Sequence, residues 1–396
     1  MPGPGSYWIG EEERKEVLDV MESGYLSRYG DPDDPRFKRK VVRLEAELAR
    51  YAGVKHALAL SSGTGSLWTA LLALGVGPGD EVLVPGYTFV ATYSAVIFAG
   101  ATPVLTEIDA SLTMDPTDLE RRITERTKAI IPVHMLGNPC DLAPIMEIAR
   151  KHDLFVLEDC CQALGASYRG GKVGTFGQLG AFSLNYFKTI TAGDGGFLLT
   201  DDDDLYRRAF AIHDQGHSPA RAGVEIGART IMGMNLRINE LTGAVALAQL
   251  RKLDDITSTL RAKKKKLVGL LERTGTYRLR TIHDPQGECG TVLTLIFDDA
   301  AEARRVIDRL GTKPVAESGW HVYSNMEHFI ERMSAMGQPA AKGTLPRTDA
   351  LLERAMNVSI GVVDAGLGTG WGISIDSTDE EIEAAAEQLN QALEGR

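Results

Sequence analysis

The chain has 396 residues, of which 43% are hydrophobic and 24% are charged, so it can bury a large core divided among two or three domains. Its formal net charge of −11 argues against nucleic acid or an anionic membrane as the main partner, because both favour basic surfaces. The first residues lack a basic segment followed by an apolar one, and no apolar run is long enough to span a bilayer, so we expect a cytoplasmic protein that acts on small molecules.

Apolar runs alternate with helical patterns between residues 55 and 200. The predicted strands are HALAL (56–60), EVLVPGY (81–87), TPVLTEI (102–108), KAIIPVHM (128–135), LFVLEDC (154–160), LGAFSL (179–184) and GFLLTDD (196–202). The predicted helices between them include SLWTALLALGV (66–76), VATYSAVIFAGA (90–101) and DLAPIMEIARKHD (141–153). This alternation predicts a mainly parallel sheet covered by helices on both faces, with ligands at the carboxyl ends of the strands.

The second half of the chain changes character. A helical segment is predicted over about 234–260, and the lysine run RAKKKK (261–266) is interpreted as the solvated face of a helix rather than a binding patch. TVLTLIF (291–297) then predicts a strand, and AAEARRVIDRL (300–310) and DEEIEAAAEQLNQAL (379–393) predict helices. We therefore expect an N-terminal arm and helix over 1–25, a large domain over 26–258 and a small α+β domain over 259–396.

The four cysteines are predicted to be free thiols. They have neither a CxxC spacing nor the density of a disulfide or zinc framework, and we expect no metal site. They are Cys140, Cys160, Cys161 and Cys289.

Two polar motifs follow predicted strands. The segment SSGTG (61–65) lies between a strand and a helix, where amides, hydroxyls and small residues can form a phosphate cradle, although an ordinary capped turn has the same composition. The pair Glu158-Asp159 ends another strand. An acid there is compatible with a helix cap, an ion pair or a ligand for a protonated ring nitrogen.

Lys188 is the third candidate. It is the one charged residue of FSLNYFKTITAGDGG (182–196) before Asp194, and an unpaired buried ammonium costs roughly several kcal/mol. It must therefore reach water, find an acid elsewhere or stop being a free ammonium. A phosphate cradle, an acid at a strand end and a lysine 188 − 159 = 29 residues later are together what pyridoxal phosphate requires for its phosphate, pyridine nitrogen and aldehyde.

The sequence resembles the DegT-type sugar aminotransferases, pyridoxal phosphate enzymes of fold type I. The similarity extends from about residue 10 to the end and is carried by SSGTGSL, GDEVLVPGYTFVATYSAVIFAGATPVLTEID, TKAIIPVHMLGNPCDL, LEDCCQALGA, FSLNYFKTITAGDGGFLLTDD and GMNLRINELTGAVALAQLRKLD. The resemblance implies a large, mainly parallel domain with a seven-stranded type of sheet, flanked by helices, and a smaller α+β C-terminal domain.

The resemblance also implies roles for particular residues. Lys188 would form the internal imine and move the proton, Asp159 would pair with the pyridine nitrogen, and Gln162 would contact the ring hydroxyl. Phe89 would stack on the ring, and Asn235 would reach the phosphate of the neighbouring subunit in a homodimer with shared sites. The phosphate would be held by Gly63, Thr64, Gly65 and Ser183. Without the resemblance, Phe89 reads as a core residue, Ser183 as a strand hydroxyl and Asn235 as a helix cap.

The residues around Lys188 depart from the commonest family pattern. Tyr186 and Phe187 precede it, as in the branch that acts on cyclitol ketones or on ketones of long-chain acid sugars, and Tyr186 is therefore a candidate for substrate contact. Tyr323 and His328 in HVYSNMEHF (321–329) match a substrate-side tyrosine and histidine in spacing, with a surface histidine as the alternative for His328.

The resemblance implies transfer of an amino group from glutamate or glutamine to a keto sugar or cyclitol ketone. Two alternative functions fit these residues less well. Pyridoxamine-dependent sugar dehydratases in the family replace the lysine with histidine, so Lys188 argues against that activity. A regulator that binds the cofactor without turnover is disfavoured by the intact set of Lys188, Asp159 and Gln162. An anionic acceptor would need local basic residues such as Arg229, Arg237 and Lys342.

Overall fold

The computed structural model describes residues 2–219, 231–362 and 364–394. Its twelve strands are β1 (His56–Leu60), β2 (Glu81–Pro85), β3 (Thr102–Thr106), β4 (Thr127–Ile130), β5 (Phe155–Asp159), β6 (Ser167–Tyr168), β7 (Gly171–Lys172), β8 (Leu179–Ser183), β9 (Gly196–Thr200), β10 (Tyr277–Leu279), β11 (Val292–Phe297) and β12 (Ala355–Ser359). All seven strands predicted between residues 55 and 200 are present.

The α-helices lie before, between and after these strands along the chain. They are α1 (Pro4–Tyr7), α2 (Glu11–Ser23), α3 (Lys40–Ala52), α4 (Gly63–Ala73), α5 (Val90–Phe98), α6 (Pro116–Arg121), α7 (Leu142–Lys151), α8 (Asp203–His213), α9 (Glu240–Arg251), α10 (Leu253–Leu270), α11 (Ala300–Leu310), α12 (Glu327–Ala335), α13 (Pro346–Glu353) and α14 (Asp379–Glu394).

The large sheet has seven strands in the order β1-β9-β8-β5-β4-β2-β3. The neighbours from β8 to β3 are parallel, whereas β9 is antiparallel to both β1 and β8. Six strands therefore end at one edge of the sheet, and β9 begins there. The predicted mainly parallel sheet is confirmed.

Both faces of this sheet are buried, which explains the continuous apolar character of its strands. In β1, Leu58 and Leu60 belong to the core that includes Leu67 of α4. Ala57 and Ala59 face the opposite side, in the core that includes Leu44 of α3. Successive side chains of a strand point to opposite faces, so the helices form a layer on each side.

The C-terminal part contains an antiparallel sheet in the order β10-β11-β12. The predicted strand at 291–297 and the helices at 300–310 and 379–393 are confirmed by β11, α11 and α14. The helix predicted from about residue 234 begins only at Glu240, because Asn239 is its cap and accepts the N–H of Thr242 at 2.9 Å. The domain boundaries stay predictions, and α10 continues through the proposed junction at residue 258.

The lysine run is not uniformly solvated. Lys264 is buried and pairs with Glu288 at 2.5 Å, whereas Lys265 is exposed. Burial lowers the pKa of Lys264 to about 8, against the attraction of Glu288. The interpretation of the whole run as a solvated face is therefore wrong at Lys264, which lies on the buried face of α10.

Candidate active site

A cavity of about 500 Å³ lies at the edge where the parallel strands end. Loops that follow the strands supply one side of it: Ser62, Gly63 and Thr64 after β1, Thr88 and Phe89 after β2, Val133 and Leu136 after β4, Cys161 and Gln162 after β5, and Asn185, Phe187 and Lys188 after β8. Residues beyond β10 supply the other side, namely Thr291, Val292, Trp320, His321, Val362, Asp364 and Leu367. Parallel strands thus bring distant motifs together, as the sequence predicts.

Asp159, the last residue of β5, is buried and fixed by two hydrogen bonds. Its Oδ2 accepts the hydroxyl proton of Thr92 at 2.8 Å, and its Oδ1 accepts the N–H of Cys161 at 3.0 Å. Thr92 Oγ1 also lies 2.7 Å from Thr88 Oγ1, so the Thr88 hydroxyl donates to Thr92. The carboxylate is held as a hydrogen-bond acceptor on the cavity wall, where a protonated ring nitrogen can reach it.

Lys188 lies in the loop after β8 and is half-buried. Its Nζ is 5.9 Å from the centroid of the Phe89 ring, and it makes no ion pair with any described residue. Burial lowers the pKa of Lys188 from its ordinary value, and the carboxylates of Asp159 and Asp364 oppose this shift. A lower pKa increases the fraction of neutral amine, which is the form that can act as a nucleophile or a base.

The SSGTG segment begins helix α4. The side chain of Ser62 caps the helix by accepting the N–H of Gly65 at 2.9 Å, so the Gly65 amide is already used, and Gly65 is not among the cavity residues. The amides of Gly63 and Thr64 have no partner within the described chain. Both the free amides and the helix N-terminus favour an anion here.

Gly63 permits a close approach between α4 and the end of β8. A Cβ atom at this position would lie 2.7 Å from Cβ of Ser183 and 2.9 Å from Sγ of Cys161. Both distances are shorter than normal contacts, so a larger residue requires one of the two elements to move. This packing brings the Ser183 hydroxyl to the same wall as the free amides of α4.

Phe89 and Gln162 complete the predicted cofactor set. Phe89 is the residue before α5. This aromatic residue is 39% exposed because it faces the cavity. Gln162 accepts the N–H of Leu136 through Oε1 at 2.9 Å, which leaves its amide nitrogen as a donor. The site therefore combines an aromatic face, an amide donor, a carboxylate, an amine and an anion cradle, and these groups fit pyridoxal phosphate.

Asn235 lies outside the cavity. It is exposed and forms a β-bridge with Asp214, and its Oδ1 accepts the N–H of Arg237 at 3.3 Å. The next residue, Leu236, donates its N–H to the carbonyl of His213 at 2.9 Å. The segment is thus fixed in place while the Asn235 side chain remains at the surface.

His213 is buried beneath this segment. Its Nδ1 donates to the carbonyl of Phe210 at 2.6 Å, and its Nε2 faces Nη1 of Arg28 at 3.1 Å, so Nε2 accepts and the ring is neutral. Burial and the positive charge of Arg28 lower the pKa of His213 to about 3.

The three predicted substrate residues are outside the lining of the cavity. Tyr323 is fully buried, accepts the N–H of Leu345 at 3.0 Å and donates to Asp349 at 3.1 Å. His328 is exposed on α12, with its ring centroid 6.3 Å from that of Trp320. Tyr186 is exposed, and its carbonyl accepts the N–H of Gly3 at 3.0 Å.

The cavity residues that were not predicted include His321 and Asp364. The ring centroid of His321 is 5.3 Å from that of Phe89, and burial together with the charge of Lys188 lowers the pKa of His321 to about 3. Its carbonyl accepts the N–H of Thr88 at 2.9 Å, which holds the segment against the loop after β2. The segment HVYSNMEHF contains two histidines, and the sequence could not distinguish them because this contact joins residues more than 200 positions apart.

The basic residues suggested for an anionic acceptor are engaged elsewhere. Arg237 pairs with Asp214, and Lys342 pairs with Glu353 at 2.7 Å. Arg229 lies outside the described residues.

A buried polar cluster lies behind Asp159. Glu158 accepts backbone N–H groups of Gly174, Phe176 and Gly177 at 2.7–2.8 Å and is 3.1 Å from Nε2 of His134. Cys140 donates its N–H to the other ring nitrogen of His134. These contacts satisfy the hydrogen-bonding groups of the Glu158 carboxylate and the His134 ring, so the cluster holds the end of β5 in place.

The part of the chain that the structure describes contains no helix with the length and apolar character needed to cross a membrane.

Comparison with known proteins gives a consistent result. A profile of the DegT/DnrJ/EryC1/StrS aminotransferase family matches residues 8–363. GDP-perosamine synthase of Caulobacter vibrioides is 42% identical over 262 residues, which cover 66% of this chain and 66% of that protein. L-glutamine:2-deoxy-scyllo-inosose aminotransferase of Streptomyces fradiae is 38% identical, covering 65% and 62% respectively. The matched segments thus span slightly less than two thirds of these relatives.

The fold comparison extends further. The crystal structure of an aminotransferase from Psychrobacter cryohalolentis is 27% identical and superposes with a TM-score of 0.80, covering 100% of this chain and 98% of that one. The predicted fold type I architecture is confirmed.

Proposed function

The chain belongs to the DegT/DnrJ/EryC1/StrS aminotransferase family, and from this membership we propose that it is a pyridoxal phosphate-dependent aminotransferase acting on a keto sugar or cyclitol ketone. The donor of the amino group is glutamate or glutamine. The reaction serves the biosynthesis of amino sugars or aminocyclitols.

The observation that carries this proposal is the meeting of three motifs in one cavity. Lys188, Asp159 and the free amides of Gly63 and Thr64 come from three different strand ends and line the same space. A helix cap, an ion pair or a capped turn explains each of them singly, but not their convergence.

Each residue has a task that its surroundings support. Pyridoxal phosphate, when bound, supplies an electron sink for charge that develops on the α-carbon of an amino acid. Asp159 would hold a proton on the ring nitrogen, Phe89 would orient the ring, and the amides of α4 with Ser183 would bind the phosphate. Lys188 Nζ would accept the proton from the α-carbon of the donor, a role that its lowered pKa favours and that is worth roughly 10²–10⁴ in rate.

The substrate class rests on relatives with different acceptors. One is named for a GDP-linked sugar and another for a cyclitol ketone with glutamine as donor. Both names involve an amino group and a polyhydroxylated ring, which supports this broader class. Lys188 argues against dehydratase activity, and the complete set of cofactor groups argues against a regulator without turnover.

The proposal includes a homodimer in the cytoplasm. Asn235 supports shared active sites, because its side chain is exposed and lies outside the cavity of its own protomer. There it would be free to reach the phosphate of the neighbouring protomer.

The test is an absorbance spectrum of the purified protein with pyridoxal phosphate. We expect a visible band from the lysine-bound cofactor that disappears when glutamate or glutamine is added and returns with a keto sugar or cyclitol ketone. Lys188→Ala should abolish the band and turnover. No band in the wild-type protein, or full turnover by Lys188→Ala, would contradict the proposal.

Lys172→Ala is the matched control. Burial lowers the pKa of Lys172 as well, but its Nζ donates to the hydroxyl of Tyr51 at 2.8 Å, outside the cavity. This variant should keep the band, which would attribute the loss in Lys188→Ala to its position rather than to removal of a buried amine.

A further inference from the structure

The wall of the cavity opposite the strand ends presents His321 and Asp364. Neither belongs to the set of groups that fits the cofactor. The two segments that carry them are joined by Ser318, because its hydroxyl lies between the His321 ring and the carbonyl of Gly366.

The hydrogen bonds of the Ser318 hydroxyl determine which nitrogen of His321 carries the proton. Ser318 donates its hydroxyl proton to the Gly366 carbonyl, so its oxygen can only accept from Nδ1 of His321, 2.9 Å away. Nδ1 therefore carries the proton, and Nε2 is a hydrogen-bond acceptor. Burial and nearby Lys188 lower the pKa of His321 to about 3, so the ring remains neutral at physiological pH.

Asp364 is fixed with one carboxylate oxygen in use. Its Oδ1 accepts the N–H of Gly366 at 2.8 Å, and its carbonyl accepts the N–H groups of Leu367 and Thr369, both at 3.0 Å. Within the described chain, Oδ2 has no hydrogen-bond partner. Asp364 and Lys188 line the same cavity, and the Asp364 carboxylate opposes the lowering of the Lys188 pKa that burial causes.

This wall has acceptors and no cation. Among the described residues that line the cavity, Lys188 is the one cation, whereas Asp159, Asp194 and Asp364 are acids. Asp159 is bound by Thr92 and Cys161, and Asp194 accepts from Asn185 at 3.1 Å. Asp194 belongs to the strand side of the cavity, so Asp364 Oδ2 and His321 Nε2 are the acceptors that this opposite wall offers to a ligand, and they require hydrogen-bond donors.

We propose that Asp364 and His321 select the amino acceptor by accepting hydrogen bonds from hydroxyl groups on the carbons beside its reacting carbonyl. This inference rests on the proposed function. The carbonyl carbon must approach Lys188, and both Lys188 and His321 lie beside the Phe89 ring in the same cavity, so the carbons next to the carbonyl face the wall formed by His321 and Asp364. The acceptor is accordingly a polyhydroxy ketone with a free hydroxyl next to the carbonyl, and a ketone without that hydroxyl leaves a charged acceptor unpaired in the site.

The experiment compares two ring ketones that differ in one hydroxyl on a carbon beside the carbonyl. The enzyme is first converted by glutamine, and kcat/KM for each ketone is taken from the return of the visible band. The wild-type enzyme should prefer the hydroxylated ketone by about tenfold or more, as expected when a hydrogen bond to a charged group is lost. Asp364→Ala should abolish most of this preference.

Asp364→Asn is the conservative variant, since its oxygen still accepts the N–H of Gly366. Its preference should lie between those of the wild type and Asp364→Ala, because a neutral amide binds a hydroxyl more weakly than a carboxylate does. If Asp364→Ala does not fold, the Asn variant alone decides. An equal preference in wild type and variant would overturn the subsite, whereas no return of the band with any ketone in the wild type would instead contradict the proposed function.

Discussion

Replacing Gly63 by alanine tests how the anion cradle is built. The added Cβ would lie 2.7 Å from Cβ of Ser183 and 2.9 Å from Sγ of Cys161. Two carbon atoms in normal contact lie at least about 3.5 Å apart, so the start of α4 must move away from β8 by about 0.8 Å. Overpacking of this kind costs about 1–3 kcal/mol of unfolding free energy.

The same shift displaces the free amides of α4 from the Ser183 hydroxyl. Since a misplacement of about 1 Å can reduce a rate roughly 100-fold, we expect kcat/KM to fall by about tenfold or more and the Kd for pyridoxal phosphate to rise. Titration of the visible band gives the Kd, and urea denaturation of the cofactor-free protein gives the change in unfolding free energy.

Gly77→Ala is the control, because a Cβ atom there has no atom within 4 Å and the backbone is not left-handed. It should retain the wild-type Kd and stability. A double variant with Gly63→Ala and Ser183→Gly removes the 2.7 Å contact and should recover part of the lost stability. Wild-type cofactor binding and stability in Gly63→Ala would refute the reasoning that links the close approach to the cradle.

Three further predictions concern charge and assembly. His213, whose pKa of about 3 is below its ordinary value of 6.5, binds fewer protons in the folded than in the unfolded state, so stability should fall by up to about 1.4 kcal/mol per pH unit as pH drops below 6.5. Urea denaturation between pH 7 and pH 4 should show a smaller loss in His213→Gln, and an identical slope would count against the assignment. Mixed dimers of Lys188→Ala and Asn235→Ala protomers should recover activity in the one site that combines intact Lys188 and Asn235; no recovery after subunit exchange would argue against shared sites. Lys264→Met should lower the unfolding free energy by about 3–5 kcal/mol, because it leaves the buried carboxylate of Glu288 without its partner. Replacement of the exposed Lys265 by methionine should change the unfolding free energy by less than about 0.5 kcal/mol in the same denaturation assay, and equal effects of the two substitutions would contradict the pairing.

The sequence was most informative where the pattern is local. Apolar runs of four to eight residues identified all seven strands of the large sheet, because strands buried on both faces must be apolar throughout. Lys188 could be singled out because a cation in an apolar loop needs a physical reason. The error at 234–239 arose where an Ala- and Leu-rich helix was extended through its own N-cap at Asn239.

The other side of the cavity depends on contacts that no local pattern contains. Thr88 donates its N–H to the carbonyl of His321 across more than 200 residues of chain, and His321 rather than Tyr323 or His328 lines the cavity. The prediction at Lys264 fails for the same reason, since Glu288 becomes its partner only when the segment before β11 packs beside α10.

The reversed direction of β9 has a consequence for how this chain can vary. β8 ends and β9 begins at the same edge of the sheet, so the segment that carries Lys188 leaves and re-enters the sheet between two neighbouring strands. Ser183 pairs with Gly196, and this register fixes both anchor points independently of what lies between them. Substitutions at the exposed positions Tyr186 and Phe187 can therefore reshape the surroundings of the lysine without changing strand pairing, which makes these two positions suitable for directed evolution of new acceptor preferences.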